Sequence, residues 1–129
     1  MDRLKKELVF NLCIFSFILS IIYSTLITNI NTSLVSTTPY DSNSGQAVVF
    51  VLFFLLLFIF HIAISFLNYA VAIFSGRKLV KRIVIFNTIG LILIGVIYFA
   101  VKESIVLFLI FSFLIFSVVT LWNNRNSKK

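Results

Sequence analysis

His61, Ser65 and Asn68 are the residues whose types and spacing could do chemistry. His61 is the only histidine, and it stands near the middle of the uncharged run 47–74. Ser65 and Asn68 follow it at i+4 and i+7, so the three share one helical face, and Ala72 and Ser75 continue the series. An imidazole in such a stretch can relay a proton, bind a ligand or hydrogen-bond to a neighbouring helix. At membrane depth an ionisable group is costly, and it points to function by default. A proton-coupled site usually sets a carboxylate beside the ring, because the carboxylate stabilises the imidazolium. The apolar runs contain no such acid. Interhelical packing is therefore the main expectation for His61, with a polar intramembrane site as the sharper one.

Asn68 lies shortly before the basic cluster Arg77, Lys78, Lys81 and Arg82, and Asn87 lies shortly after it. The two amides are placed to hydrogen-bond across a helical hairpin, a contact worth about 0.6 kcal/mol and seldom above ~1.7 kcal/mol. The four cations suit contact with anionic lipid headgroups, at about 1 kcal/mol each near the surface. They also suffice to set membrane topology on their own.

For catalysis the chain offers little. The serines have no base but His61, and no acid orients that ring. One histidine without an intramembrane carboxylate supports neither acid–base nor metal chemistry. Gly-rich phosphate loops are absent, and no cofactor or metal is expected. The single cysteine, Cys13, excludes an intramolecular disulfide and reads as a small buried or lipid-facing residue. The expectation is a protein that is not an enzyme.

The elements that position these residues are four apolar runs. The chain is 60% apolar, against about 45–50% for soluble domains. Its sixteen phenylalanines exceed what a soluble core of this size can hide. Charged residues make up only 12% and gather at the ends of the runs, so the net charge of +7 is explained by membrane placement rather than by nucleic acid. A helix needs about 20 apolar residues to cross a hydrocarbon core roughly 30 Å thick. The runs 8–30, 83–101 and 104–122 lie close to that length, and 47–74, at 28 residues, exceeds it and must tilt or protrude by a turn or two.

The first run is longer than a signal-peptide core of about 7–15 residues and lacks a cleavage pattern, so it reads as a retained span. Ser16, Ser20, Ser24 and Thr28 recur along one of its faces, the small-xxx-small pattern that lets another helix approach. Residues 31–46 form the one long loop, with Pro39 and a turn-forming stretch at 41–45. Residues 75–82 form a basic connection. Gly90 and Gly95 in the third span are spaced too far for GxxxG. Lys102 and Glu103 make a minimal turn, which forces the third and fourth spans into an antiparallel hairpin. Trp122 falls where indole favours the headgroup level, and a polar tail covers 123–129.

Lys and Arg residues number three before the first span, four between the second and third, and three in the tail, with Lys102 alone on the other side. The positive-inside rule then puts both ends in the cytoplasm. The expected fold is an all-α membrane domain: a single four-span antiparallel bundle over 1–129.

Among small four-span families, multidrug exporters rely on a glutamate inside the first span, whereas Glu7 here precedes the run. Fluoride channels carry a glycine-rich first span with an arginine, which 8–30 lacks. In topology alone the chain is similar to small lipid-linked sugar flippases, with both ends inside and a basic central loop.

Three functional expectations follow. The first is an accessory, partner-binding or toxin-immunity protein of a bacterial cytoplasmic membrane, with the lipid bilayer and a protein partner or a second copy as its contacts. The second is a subunit of a small oligomeric transporter, flippase or channel with His61 lining the path. The third is a holin-like permeabilising protein.

Overall fold

In a bilayer every backbone polar group must be satisfied by the protein itself, and an uncharged run of about 20 residues does so most simply as a helix. A computed structural model describes residues 3–35, 43–75 and 78–126, and among them all regular structure is helical. Helix α1 (Arg3–Phe10) passes through a π-helical turn (Asn11–Phe15) into α2 (Ser16–Val35). Helix α3 covers Asn43–Phe74, and α4 covers Leu79–Val101. A 3₁₀ turn (Ser104–Leu109) leads into α5 (Ile110–Asn126). Among the described residues four stretches are long and apolar enough to cross a membrane: Leu4–Ile30, Gln46–Phe74, Leu79–Val101 and Ser104–Arg125. The chain is thus a small all-helical protein with four candidate spans.

The helices run longer than the apolar runs alone require. Helix α2 continues to Val35, and α3 begins at Asn43, inside the stretch expected to form a turn at 41–45. Pro39 lies outside the described residues. At the basic connection, α4 starts at Leu79 rather than Ile83, which puts Lys81 and Arg82 in its first turn. The tight turn after α4 is closed by Lys102, whose φ of 59° is left-handed and whose N–H reaches the Tyr98 carbonyl at 2.7 Å.

Helices α2 and α3 form the most extensive pair, and α4 packs mainly on α5. The apolar core includes Leu19, Leu57, Ile64, Phe86, Ile94, Phe113 and Phe116. Phe86 meets Phe113 with ring centroids 5.2 Å apart. Gly90 is what lets α4 lie this close: a Cβ built there would run into the Phe113 ring. Gly95 has open space around it. The outer surface is apolar, with Phe74 86% and Phe99 82% exposed, as expected of side chains that face acyl chains.

Candidate functional site

Six polar residues of the first span turn inward along one face, while Thr25 and Asn29 are exposed. Glu7, Asn11, Ser16, Ser20, Ser24 and Thr28 are buried. Their spacing is four residues throughout, except for five between Asn11 and Ser16. The π-helical turn takes up that extra residue, so one face stays aligned on both sides of it. The Ser16 hydroxyl donates to the Asn11 carbonyl across the turn at 3.0 Å. The sequence pattern of Ser16 to Thr28 is therefore the buried face of α2, and it begins one and two turns earlier, at Asn11 and Glu7.

At mid-span the track centres on His61, which is fully buried. Its Nδ1 lies 2.7 Å from the Leu57 carbonyl, and a carbonyl only accepts, so Nδ1 carries the hydrogen. The Ser20 Oγ stands 3.2 Å from the same nitrogen; its own proton goes to the Ser16 carbonyl at 2.5 Å, leaving lone pairs for the ring. Nε2 faces the Ser112 Oγ at 2.9 Å. Ser112 is also 3.1 Å from the Tyr23 hydroxyl, which donates to the Phe108 carbonyl at 3.0 Å. Ser112 has one proton to give, to Nε2 or to Tyr23, so this chain of bonds has two settings. The Tyr23 ring stacks on the imidazole, 15° from parallel with centroids 5.6 Å apart. Ser65 bonds the His61 carbonyl at 2.9 Å and lies 3.2 Å from the Ser16 hydroxyl.

Toward the end of the bundle shared by Leu4, Phe74 and Leu79, a second group ties together all four spans. The Arg82 guanidinium from α4 donates to both Glu7 oxygens from α1, at 2.7 and 3.3 Å. It also donates to the Asn68 Oδ1 from α3, at 3.0 and 3.3 Å. Thr120 from α5 donates to Glu7 at 2.9 Å and accepts from the Asn68 amide at 3.2 Å. The Asn11 Oδ1, buried beside this group, has no hydrogen-bond partner. Leu4, Leu8, Ser65 and Tyr69 pack around Glu7, Asn11, Asn68 and Arg82 and leave no room there for a water molecule.

The structure thus brings His61, Ser65 and Asn68 to one buried face, but Asn68 and Asn87 do not bond to each other. Asn87 donates to Ser117 at 2.8 Å and to the Ile83 carbonyl at 2.9 Å, joining α4 to α5 instead. Of the cations expected at the headgroups, Lys78 and Lys81 are exposed, and Arg77 lies outside the described residues. Arg82 is corrected from a lipid contact to a buried ion pair, because a guanidinium turned inward finds a carboxylate and an amide oxygen within reach. Glu7 was missed as a core residue since it precedes the apolar run. The signal that could have found it is the four-residue series, extended backward through Asn11 with one residue of slack. Comparison with family models, curated proteins and solved structures finds no match. Among the described residues, no group of three His, Cys, Asp or Glu side chains is placed to hold a metal ion.

Proposed function

We propose that the chain is a non-catalytic, partner-binding protein of a bacterial cytoplasmic membrane, of the accessory or toxin-immunity kind. The observation that carries this reading is the division of its surface. The buried charges are spent within the chain, on the Glu7–Arg82 pair, while α3 and α4 bury less of their span than the first and fourth spans do. That leaves two long apolar helices available to another membrane helix. The proposed orientation puts the Glu7 end of the bundle in the cytoplasm, since Lys5, Lys6, Lys78, Lys81 and Arg125 all belong to that end and Lys102 to the other. Site-directed photocrosslinking in native membranes tests it. Probes on the α4 face at Ile92 and Val96 are expected to capture one discrete protein band, and probes at Phe17 on α2 are not. Capture of lipid alone at every position would sink the reading.

A second reading, a relay or transport subunit centred on His61, draws on one feature. The Ser112 proton can go to Nε2 of His61 or to the Tyr23 hydroxyl, one at a time, so the group has two proton settings. Proton and ion flux into liposomes decides it: flux above empty liposomes that vanishes in His61→Ala favours transport, and no flux under any gradient removes it. Holin-like permeabilisation is the third reading, and growth arrest on expression is its test.

A further inference from the structure

We propose that the cleft between α4 and α5 is a binding site for one acyl chain of a phospholipid with an anionic headgroup. The cleft holds about 180 Å³ and is lined by Leu91, Ile94, Ile110, Phe113 and Leu114, with Asn87 at one end. An apolar cavity of about 150 Å³ is already large enough to take benzene. The cleft is a product of local packing. The Phe113 ring packs against Gly90 and forms one wall of the cleft, opposite Leu91 and Ile94. Leu91 and Leu114 are half exposed, so the opening is lateral, toward the surrounding hydrocarbon. Its one polar residue, Asn87, is nearer the basic end of the bundle, and its amide is held by Ser117.

Charge identifies the headgroup. Along α5, Leu114, Leu121 and Arg125 recur at i, i+7 and i+11 and share a face. Arg125 is exposed. The rise from Leu114 to Arg125 is about 16 Å at ~1.5 Å per residue. One leaflet of hydrocarbon is about 15 Å, half the core. A phosphate beside Arg125 therefore drops its chain to the depth of the cleft. The chain as a whole carries a net charge of +7, which favours an anionic lipid over a zwitterionic one.

The test uses the full chain in phosphatidylcholine nanodiscs, doped with either spin-labelled phosphatidylglycerol or spin-labelled phosphatidylcholine. The readout is the motionally restricted fraction of each label. The anionic probe is expected to be held about fivefold more strongly, the ratio that one surface cation supplies. Arg125→Gln brings the two probes to parity. Leu114→Trp, which fills the cleft, removes the most restricted component for both; Leu91→Phe repeats that test from the opposite wall should Leu114→Trp fail to fold. Equal retention of the two probes by the unaltered protein overturns the proposal. So does a restricted component that survives cleft filling. A cleft-filling variant that changes oligomeric mass while leaving lipid retention intact assigns the cleft to a second copy and overturns it as well.

Discussion

Glu7 and Arg82 lie 75 residues apart in sequence and meet in a two-point ion pair, with Nη2 2.7 Å from Oε1 and Nη1 3.3 Å from Oε2. Each ion is almost wholly buried, and Asn68 and Thr120 occupy much of the remaining hydrogen-bonding capacity. Breaking such a pair from one side strands the other charge, at a cost of about 3–5 kcal/mol, whereas replacing both can be close to neutral. Arg82→Met is therefore expected to destabilise the bundle by about that amount. Glu7→Gln with Arg82→Met should cost clearly less than the two single changes summed. Unfolding in mixed micelles of increasing dodecyl sulfate content measures all three variants. Simple additivity would show that the pair is not coupled.

The two glycines of α4 should respond in opposite ways. Gly90→Ala drives a methyl into the Phe113 ring and is expected to cost about 1–3 kcal/mol, the range for overpacking. Gly95→Ala meets open space and exchanges a poor helix former for the best one, so it should be neutral or stabilising by up to about 1 kcal/mol. The same unfolding assay compares them. Equal losses at both positions would contradict the packing of α4 on α5.

His61→Leu removes interhelical bonds to Ser112 and Ser20. Hydrogen bonds between membrane helices average about 0.6 kcal/mol. The expected loss is about 1–2 kcal/mol, well below that of Arg82→Met. If unfolding ranks the two variants the other way, the mid-span group rather than the ion pair is the main polar tie.

The π-helical turn makes a prediction about length. Deleting Ile14 turns Asn11–Phe15 into ordinary α-helix and restores four-residue spacing between Asn11 and Ser16, so the fold should survive it. Deleting Ile18 instead rotates everything before it by about 100°. That swings Glu7 away from Arg82 and Ser16 away from Ser65. Expression level and the unfolding midpoint separate the two deletions, and equal tolerance of both would discount the register argument.

Much of the architecture was legible because hydrophobic length and charge placement act locally. The runs 47–74 and 104–122 could hardly be anything but spans, and the face shared by His61, Ser65 and Asn68 follows from helical period alone. What lies on that face did not follow. Asn68 found Thr120 and Arg82, and Asn87 found Ser117, because pairing depends on which helices are neighbours. Glu7 was hidden by a boundary: the helix enters the membrane window at Leu4, whereas the uncharged run begins at Leu8. A charge at the edge of a run reads as an exit to water unless its partner is known, and that partner was 75 residues away in a stretch that reads as a loop.

The clasp also bears on the order in which the molecule is made. Glu7 precedes Arg82 by 75 residues and Thr120 by 113. During synthesis the acid reaches the membrane long before either partner has been translated. Until α4 arrives the carboxylate has no cation to pair with, and leaving it in water costs less than burying it alone. Only when Arg82 emerges can the carboxylate be drawn down, and only with α5 in place is its last donor supplied. A chain that lacks α4 and α5 therefore differs from the whole one by an unpaired carboxylate at Glu7.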